Sequence, residues 1–240
     1  MTLDLTALKR EARRKGTPPE RLLELAGIGP VIARAVAASK YVVPEILVQL
    51  AESEDWVTRA RVAHHRRTPL ETLEKLAQDG EGGVLRNLLQ NDRLPLCTLS
   101  TLAAHPNELV HEGVDRALAR ALLRGRIAEE DAQTLRELAG EYPYLRPVIA
   151  RYWRQIPPDL AVQWLSDPDG RVRNAILRRQ TRTRPIYRCR RGSSHQLAQP
   201  LPLEAVLPLL NDEKADIREL AAQVIARMTQ LIDNGVSMRC

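Results

Sequence analysis

The sequence predicts an all-α solenoid of about seven short two-helix modules with helical caps, and three observations predict it. A leucine followed by a small residue recurs at a near-constant interval. A proline opens most of the segments between. The apolar fraction of 44% comes mainly from Leu, Ala and Val, with no Phe, three Trp and five Tyr in 240 residues. Small aliphatics suit thin layers of short helices better than one bulky globule.

Taken in order, residues 1–16 read as an amino-terminal cap helix. The modules follow on the anchors Leu25, Leu50, Leu76, Leu102, Leu138, Leu165 and Leu210. Three residues before each anchor stands a second aliphatic: Leu22, Leu47, Leu73, Leu99, Leu135, Val162 and Leu207. After the anchor come Ile32, Val57, Val84, Leu109, Leu145, Val172 and Ile217, which open the apolar face of a second helix. Pro19, Pro44, Pro69, Pro95, Pro158 and Pro202 lead the first helices, where a missing amide is harmless. Glu20, Glu45, Glu71 and Glu204 follow, favoured there by the helix dipole. Turns such as "ESED", "QDGEG" and "SDPDG" separate the two helices. No module can bury its own face, so the modules must stack and share a core.

Two intervals are long. Leu102 to Leu138 holds about ten extra residues near 113–126. Leu165 to Leu210 holds the arginine-rich stretch 181–199. Residues 17–180 thus carry modules one to six, 200–232 the last module with a carboxy-terminal cap over 218–232, and 233–240 a tail.

The lines "VPEILVQLAESEDWVTRARVAHH", "TPLETLEKLAQDGEGGVLRNLLQN" and "PPDLAVQWLSDPDGRVRNAILRR" resemble the leucine-rich repeat variant proteins of bacteria. They share a proline and acid, paired leucines, a small residue, a turn, and then V-R ahead of a second apolar run. The likeness covers about residues 17–180 and 201–225. It implies repeats that alternate an α-helix with a 3₁₀-helix in a right-handed superhelix. Some members carry an iron–sulfur cluster on clustered cysteines. Cys97, Cys189 and Cys240 form no such cluster, so no cofactor is expected. HEAT-like repeats have too long a period.

Of the 36 basic residues, 31 are Arg, a bias that partly reflects codon usage in a GC-rich genome. Between Arg171 and Leu203 stand nine arginines and no acid, +9 in a chain whose net charge is +6, so the remainder carries −3. Arg178, Arg179, Arg182, Arg184, Arg188, Arg190 and Arg191 form the candidate anion-facing set, suited to bidentate phosphate contacts. Tyr187 inside the run could stack on a base. The alternative is a solvated loop that binds nothing.

The segment "LLELAGIGPVIARAVAAS" resembles a helix-hairpin-helix element. That likeness makes the backbone of Gly27, Ile28, Gly29 and Val31, with Arg34 nearby, a candidate phosphate contact. The same turn is also explicable as repeat punctuation. Arg34, Arg59, Arg86 and Arg173 recur near the start of the second helices. They read either as a second basic stripe or, preferentially, as a solvated face with ion pairs inside each module.

Metal and catalytic signals are weak. His64 and His65 are adjacent on a helix and point about 100° apart. Cys189 and His195 lack a partner pair of zinc spacing. Cys97 reads as a partly buried free thiol. No nucleophile elbow, Walker loop or H-E-x-x-H is present. Trp56, Trp153 and Trp164 with Asp167 could form the base pocket of a DNA glycosylase only if the fold gathered them. Composition and the lack of a long apolar run point to a cytoplasmic protein without a membrane anchor. The preferred function is a non-catalytic scaffold for a protein partner. A nucleic-acid-binding repeat protein is the alternative, and a repair enzyme a distant third.

Overall fold

The computed structural model describes residues 4–125, 131–181 and 201–233, and it divides into two compact units, residues 1–140 and 141–240. All regular structure among the described residues is helical.

The first unit opens with α1 (Leu5–Ala12), whose Asp4 cap accepts the Thr6 and Ala7 amides. Helical hairpins follow: α2 (Pro19–Gly27) with α3 (Pro30–Ala37), α4 (Pro44–Leu50) with α5 (Trp56–His64), and α6 (Leu70–Leu76) with α7 (Gly82–Leu88). Next come α8 (Leu96–Ala103) with α9 (Glu108–Leu123), then α10 (Ala132–Glu141). The second helices stack on one another in chain order, α1 on α3, α3 on α5, α5 on α7 and α7 on α9.

In the second unit a 3₁₀ turn (Pro143–Leu145) leads into α11 (Arg146–Tyr152). Then α12 (Pro158–Gln163), extended by a 3₁₀ turn at Trp164–Ser166, precedes α13 (Gly170–Thr181). Finally α14 (Leu203–Val206), with a 3₁₀ turn at Leu207–Asn211, pairs with α15 (Ala215–Asp233). Here α11 packs on α13 and α13 on α15.

Seven helical pairs are therefore present, and six of them open on the expected proline. Proline sits at the first position of α2, α4 and α12 and caps α6, α8 and α14. Most anchor leucines, with the aliphatics three residues before them, hold the core. Leu25, Leu47, Leu73, Leu99, Leu102 and Leu135 are at most 1% exposed, each burial stabilising by about 2 kcal/mol.

Four details differ from expectation. The second element of every module is an α-helix, not a 3₁₀-helix; sequences such as "PVIARAVA" are rich in good helix formers with no interior glycine. The ten extra residues of module four lengthen a helix: α9 has 16 residues where α5 has nine. The cap expected over 218–232 is continuous with the last module's second helix in the 19-residue α15.

The register also slips by one residue twice. In module four Val110 is buried and Leu109 is 69% exposed. In module seven Val206 and Leu209 are buried while Leu207 and Leu210 are exposed. A 3₁₀ turn stacks residues three apart, which puts Val206 and Leu209 on one face and the expected pair beside it.

Candidate functional site

The recurring arginines build a ladder between modules, not within them. Arg34 donates Nε and Nη2 to the Asp55 carboxylate at 2.9 and 2.6 Å. Arg59 grips Asp79 at 2.7 and 3.1 Å, and Arg173 grips Asp212 at 2.7 and 3.0 Å. Arg146 reaches Asp167 at 3.2 Å. Each aspartate stands in the turn ahead of the next module's second helix and also caps backbone: Asp55 accepts the Thr58 amide, Asp79 that of Glu81, Asp167 that of Asp169 and Asp212 that of Lys214.

The third guanidinium nitrogen is committed too. Arg59 Nη1 donates to the Ser53 and Glu54 carbonyls, and Arg173 Nη1 to those of Asp167 and Pro168. The rung between modules three and four is absent. Twenty-one residues after Arg86, where an aspartate would stand, is Asn107, which caps α9 through the Leu109 amide. Arg86 is exposed and has no ion pair among the described residues.

A second ladder closes the carboxy-terminal ends of the second helices, whose last carbonyls lack helical partners. A side chain from the following module supplies the missing donor. His65 Nε2 bonds the Ser39 carbonyl at 3.1 Å, and Asn91 Nδ2 those of Ala63 and His65 at 2.8 and 3.2 Å. Arg120 donates to the Leu89 carbonyl and Arg227 to that of Gln180. Arg179 belongs to this set, with Nη1 and Nη2 each 2.6 Å from the carbonyls of Trp153 and Arg154.

These partners set the electrostatics. The Arg34 hydrogen bond holds Asp55 far below the usual carboxylate range. Burial pushes Asp79 and Asp212 upward, but the bonds from Arg59 and Arg173 and the capped amides outweigh it and lower both. Burial depresses His65; its Nδ1 accepts the Arg67 amide, which fixes the neutral Nε2–H tautomer.

The signs differ by group. The three aspartates release protons more readily folded than unfolded. Their contribution is complete above about pH 4 and is lost as pH falls through their lower folded values. The unfolded chain protonates His65 first, so stability also declines as pH drops below about 6.5. Denaturation followed from pH 8 to pH 2 should show a shallow loss near pH 6 and a steep one below pH 4. His65→Gln should remove only the first.

The candidate anion residues fare unevenly. Arg34 is held by Asp55 and Arg179 by two carbonyls, so neither is the unengaged cation the sequence suggested. Arg178 is exposed, with Nε on Asn174 Oδ1 at 2.6 Å. Arg182, Arg184, Arg188, Arg190 and Arg191, with Tyr187 and His195, lie outside the described residues. Gly27 ends α2, and Gly29 caps α3 with φ +156°. The Ile28 amide already donates to the Leu25 carbonyl, which removes one of the four expected phosphate donors.

Two of the three tryptophans of the glycosylase reading line no open pocket. Trp153 and Trp164 are buried core residues of the second unit. Trp56, 44% exposed, lies in the first unit over the backbone of Gly83, where a Cβ would meet its ring at 2.4 Å. Cys97 is exposed, not partly buried, because its position near the start of α8 faces outward; its thiol lies 3.6 Å from Glu74. A cavity of about 320 Å³ lies between Leu70, Leu96, Leu99 and Ala121, with Asp92 and Asp131 at its wall. Asp92 is paired with Arg124 at 2.5 Å.

The sequence did not disclose a row of exposed apolar side chains in the first unit. Val31, Trp56 and Leu109 open the second helices of modules one, two and four, and Ile28 sits in the turn before Val31. They are 40, 44, 69 and 39% exposed respectively. Gly83 holds the same place in module three, beneath the Trp56 ring. The only signal was the spacing of Val31, Trp56 and Gly83 at six or seven residues past each anchor.

No family model matches the sequence, and no curated protein matches it. Among solved structures, it is similar to a leucine-rich repeat variant with a novel repetitive structural motif, at 22% identity and a TM-score of 0.41, covering 93% of this chain and 87% of that one. It is also similar to an archaeal HEAT-like repeats protein from Thermococcus onnurineus NA1, at 14% identity and a TM-score of 0.47, covering 99% and 100%. Seven successive helical pairs, with leucine-based cores and recurring cross-module bonds, make the chain an all-α helical-repeat protein.

Proposed function

We propose that this protein is a non-catalytic scaffold whose first unit offers the row Ile28, Val31, Trp56 and Leu109 to a protein partner. The observation that carries the reading is that row. Three large apolar side chains stand exposed at the second-helix starts of modules one, two and four, with Ile28 in the turn before the first, and the arginines of modules one and two are neutralised by aspartates. Aromatic and aliphatic side chains over a closed polar layer are what a protein partner's apolar anchors need. Phosphate binding needs unengaged cations, and Arg34 and Arg59 are committed. Among the described residues no helix is long and apolar enough to cross a membrane, and a cytoplasmic setting is part of the proposal.

A photo-crosslinking amino acid placed at position 109, and in a separate sample at Gln223 on α15, tests the reading in cells. A discrete adduct from position 109, lost with Trp56→Ser, supports it. Equal labelling from both positions sinks it.

The nucleic-acid reading keeps one supporting observation, the +9 charge between Arg171 and Leu203, with Arg178 exposed at its start. Titration against random duplex and single-stranded DNA at about 50 and 200 mM salt separates the two. Affinity falling by orders of magnitude between those salts, and abolished when the seven arginines 178–191 become Gln, would favour nucleic acid.

A further inference from the structure

The first ladder has an unfilled rung at each of its two outermost positions, and the two are complementary. Arg218 occupies in module seven the place of Arg59 and Arg173. Its Nη1 makes the same pair of bonds, to the Asp212 and Glu213 carbonyls at 2.7 and 3.1 Å. In Arg59 and Arg173 those two bonds aim Nε and Nη2 at an aspartate of the next module. Among the described residues no carboxylate forms an ion pair with Arg218, which is exposed.

The matching vacancy is at α1. This helix packs on α3 as α3 packs on α5, so α1 stands where a preceding module's second helix would stand. Asp4 is then the equivalent of the ladder aspartates, and it caps in the same way, accepting the Thr6 amide at 2.9 Å and that of Ala7 at 3.1 Å. Those bonds leave its carboxylate pinned and exposed, with no cation paired to it among the described residues.

Packing adds an independent sign. In modules two, three and four the residue after the anchor is covered: Ala51 and Ala77 are 6% exposed and Ala103 is 1% exposed, whereas Ala26 is half-buried and Ser166 exposed. Its counterpart in module seven, with Leu209 as the buried anchor, is Leu210, a larger apolar side chain left 39% exposed. The charges also match. Around α1 stand exposed Lys9, Arg10, Arg13, Arg14 and Lys15, and around α15 exposed Glu204, Glu213 and Glu219 beside a single exposed lysine, Lys214.

We infer that module seven docks onto α1 of a second copy of this chain, with Arg218 receiving the Asp4 carboxylate as Arg173 receives Asp212. The contact is head to tail, since each copy contributes a different surface to its two neighbours. It does not depend on the partner proposed for the apolar row.

The test is the mass of the full chain by sedimentation velocity from about 10 to 500 µM at low salt. The expected result is a mass that rises with concentration. Arg218→Asp should weaken association at least tenfold by setting two carboxylates together, as should Leu210→Glu, which leaves α1 untouched. Asp4→Arg should do the same, and equimolar Arg218→Asp and Asp4→Arg chains should associate with each other but not with themselves. A monomer throughout the range overturns the inference. So does association that survives both Arg218→Asp and Leu210→Glu.

Discussion

Replacing Arg173 with Met should cost about 3 kcal/mol of stability, read as a lower midpoint in urea or on heating. Arg173 is 8% exposed, and its side chain satisfies the Asp212 carboxylate, two carbonyls and Glu213. Removing the guanidinium strands a carboxylate whose side chain is 5% exposed. That desolvated charge, more than the lost attraction, dominates the cost. Combining Arg173→Met with Asp212→Asn removes the stranded charge and keeps a cap for the Lys214 amide. The double variant should therefore be more stable than Arg173→Met alone. If both lose the same amount, the two carbonyl bonds and not the ion pair hold that seam.

The next largest loss, about 2 kcal/mol, should follow Asn91→Leu. Asn91 is 4% exposed; its amide bonds the Ala63 and His65 carbonyls and its oxygen accepts the Arg93 amide. Leucine fills a similar volume but leaves two carbonyls and an amide unpaired, so the burial it adds does not offset the loss. Asn91→Asp discriminates further. It keeps the Arg93 contact but turns the donor into an acceptor facing two carbonyls, and should be at least as damaging at pH 7. A neutral outcome for either variant would mean that water substitutes at the end of α5, and that the second ladder contributes little.

Much of the fold was legible because repeats announce themselves. The anchors Leu25 to Leu165, the opening prolines and the number of modules follow from periodicity that each module restates. The slips at Leu109 and Leu207 were not legible, since in both cases adjacent residues are apolar; at Leu207 a 3₁₀ turn decides which one turns inward. The ladders show a different limit. The fixed offset of Arg34, Arg59 and Arg173 was visible, but their carboxylates lie 20 to 39 residues away. Nothing local distinguishes an aspartate that only caps a helix from one that also holds an arginine. Arg179 shows the same limit: inside an arginine-rich run it looks like its neighbours, and only its bonds to the Trp153 and Arg154 carbonyls set it apart.

The missing rung at Arg86 has a mechanical consequence. A seam clamped along both margins resists opening in either direction, whereas one clamped along a single margin can open like a book. Between α7 and α9 the Arg120 bond to Leu89 and the Arg124 pair with Asp92 hold one margin, and the clasp that Arg86 would make on the other is absent. That seam should therefore open more readily than those between α3 and α5 and between α5 and α7, and Leu109 lies on its unfastened side. A partner pulling on the apolar row would flex the protein there first, leaving the clasped modules on the other side of Arg86 as a stiff lever.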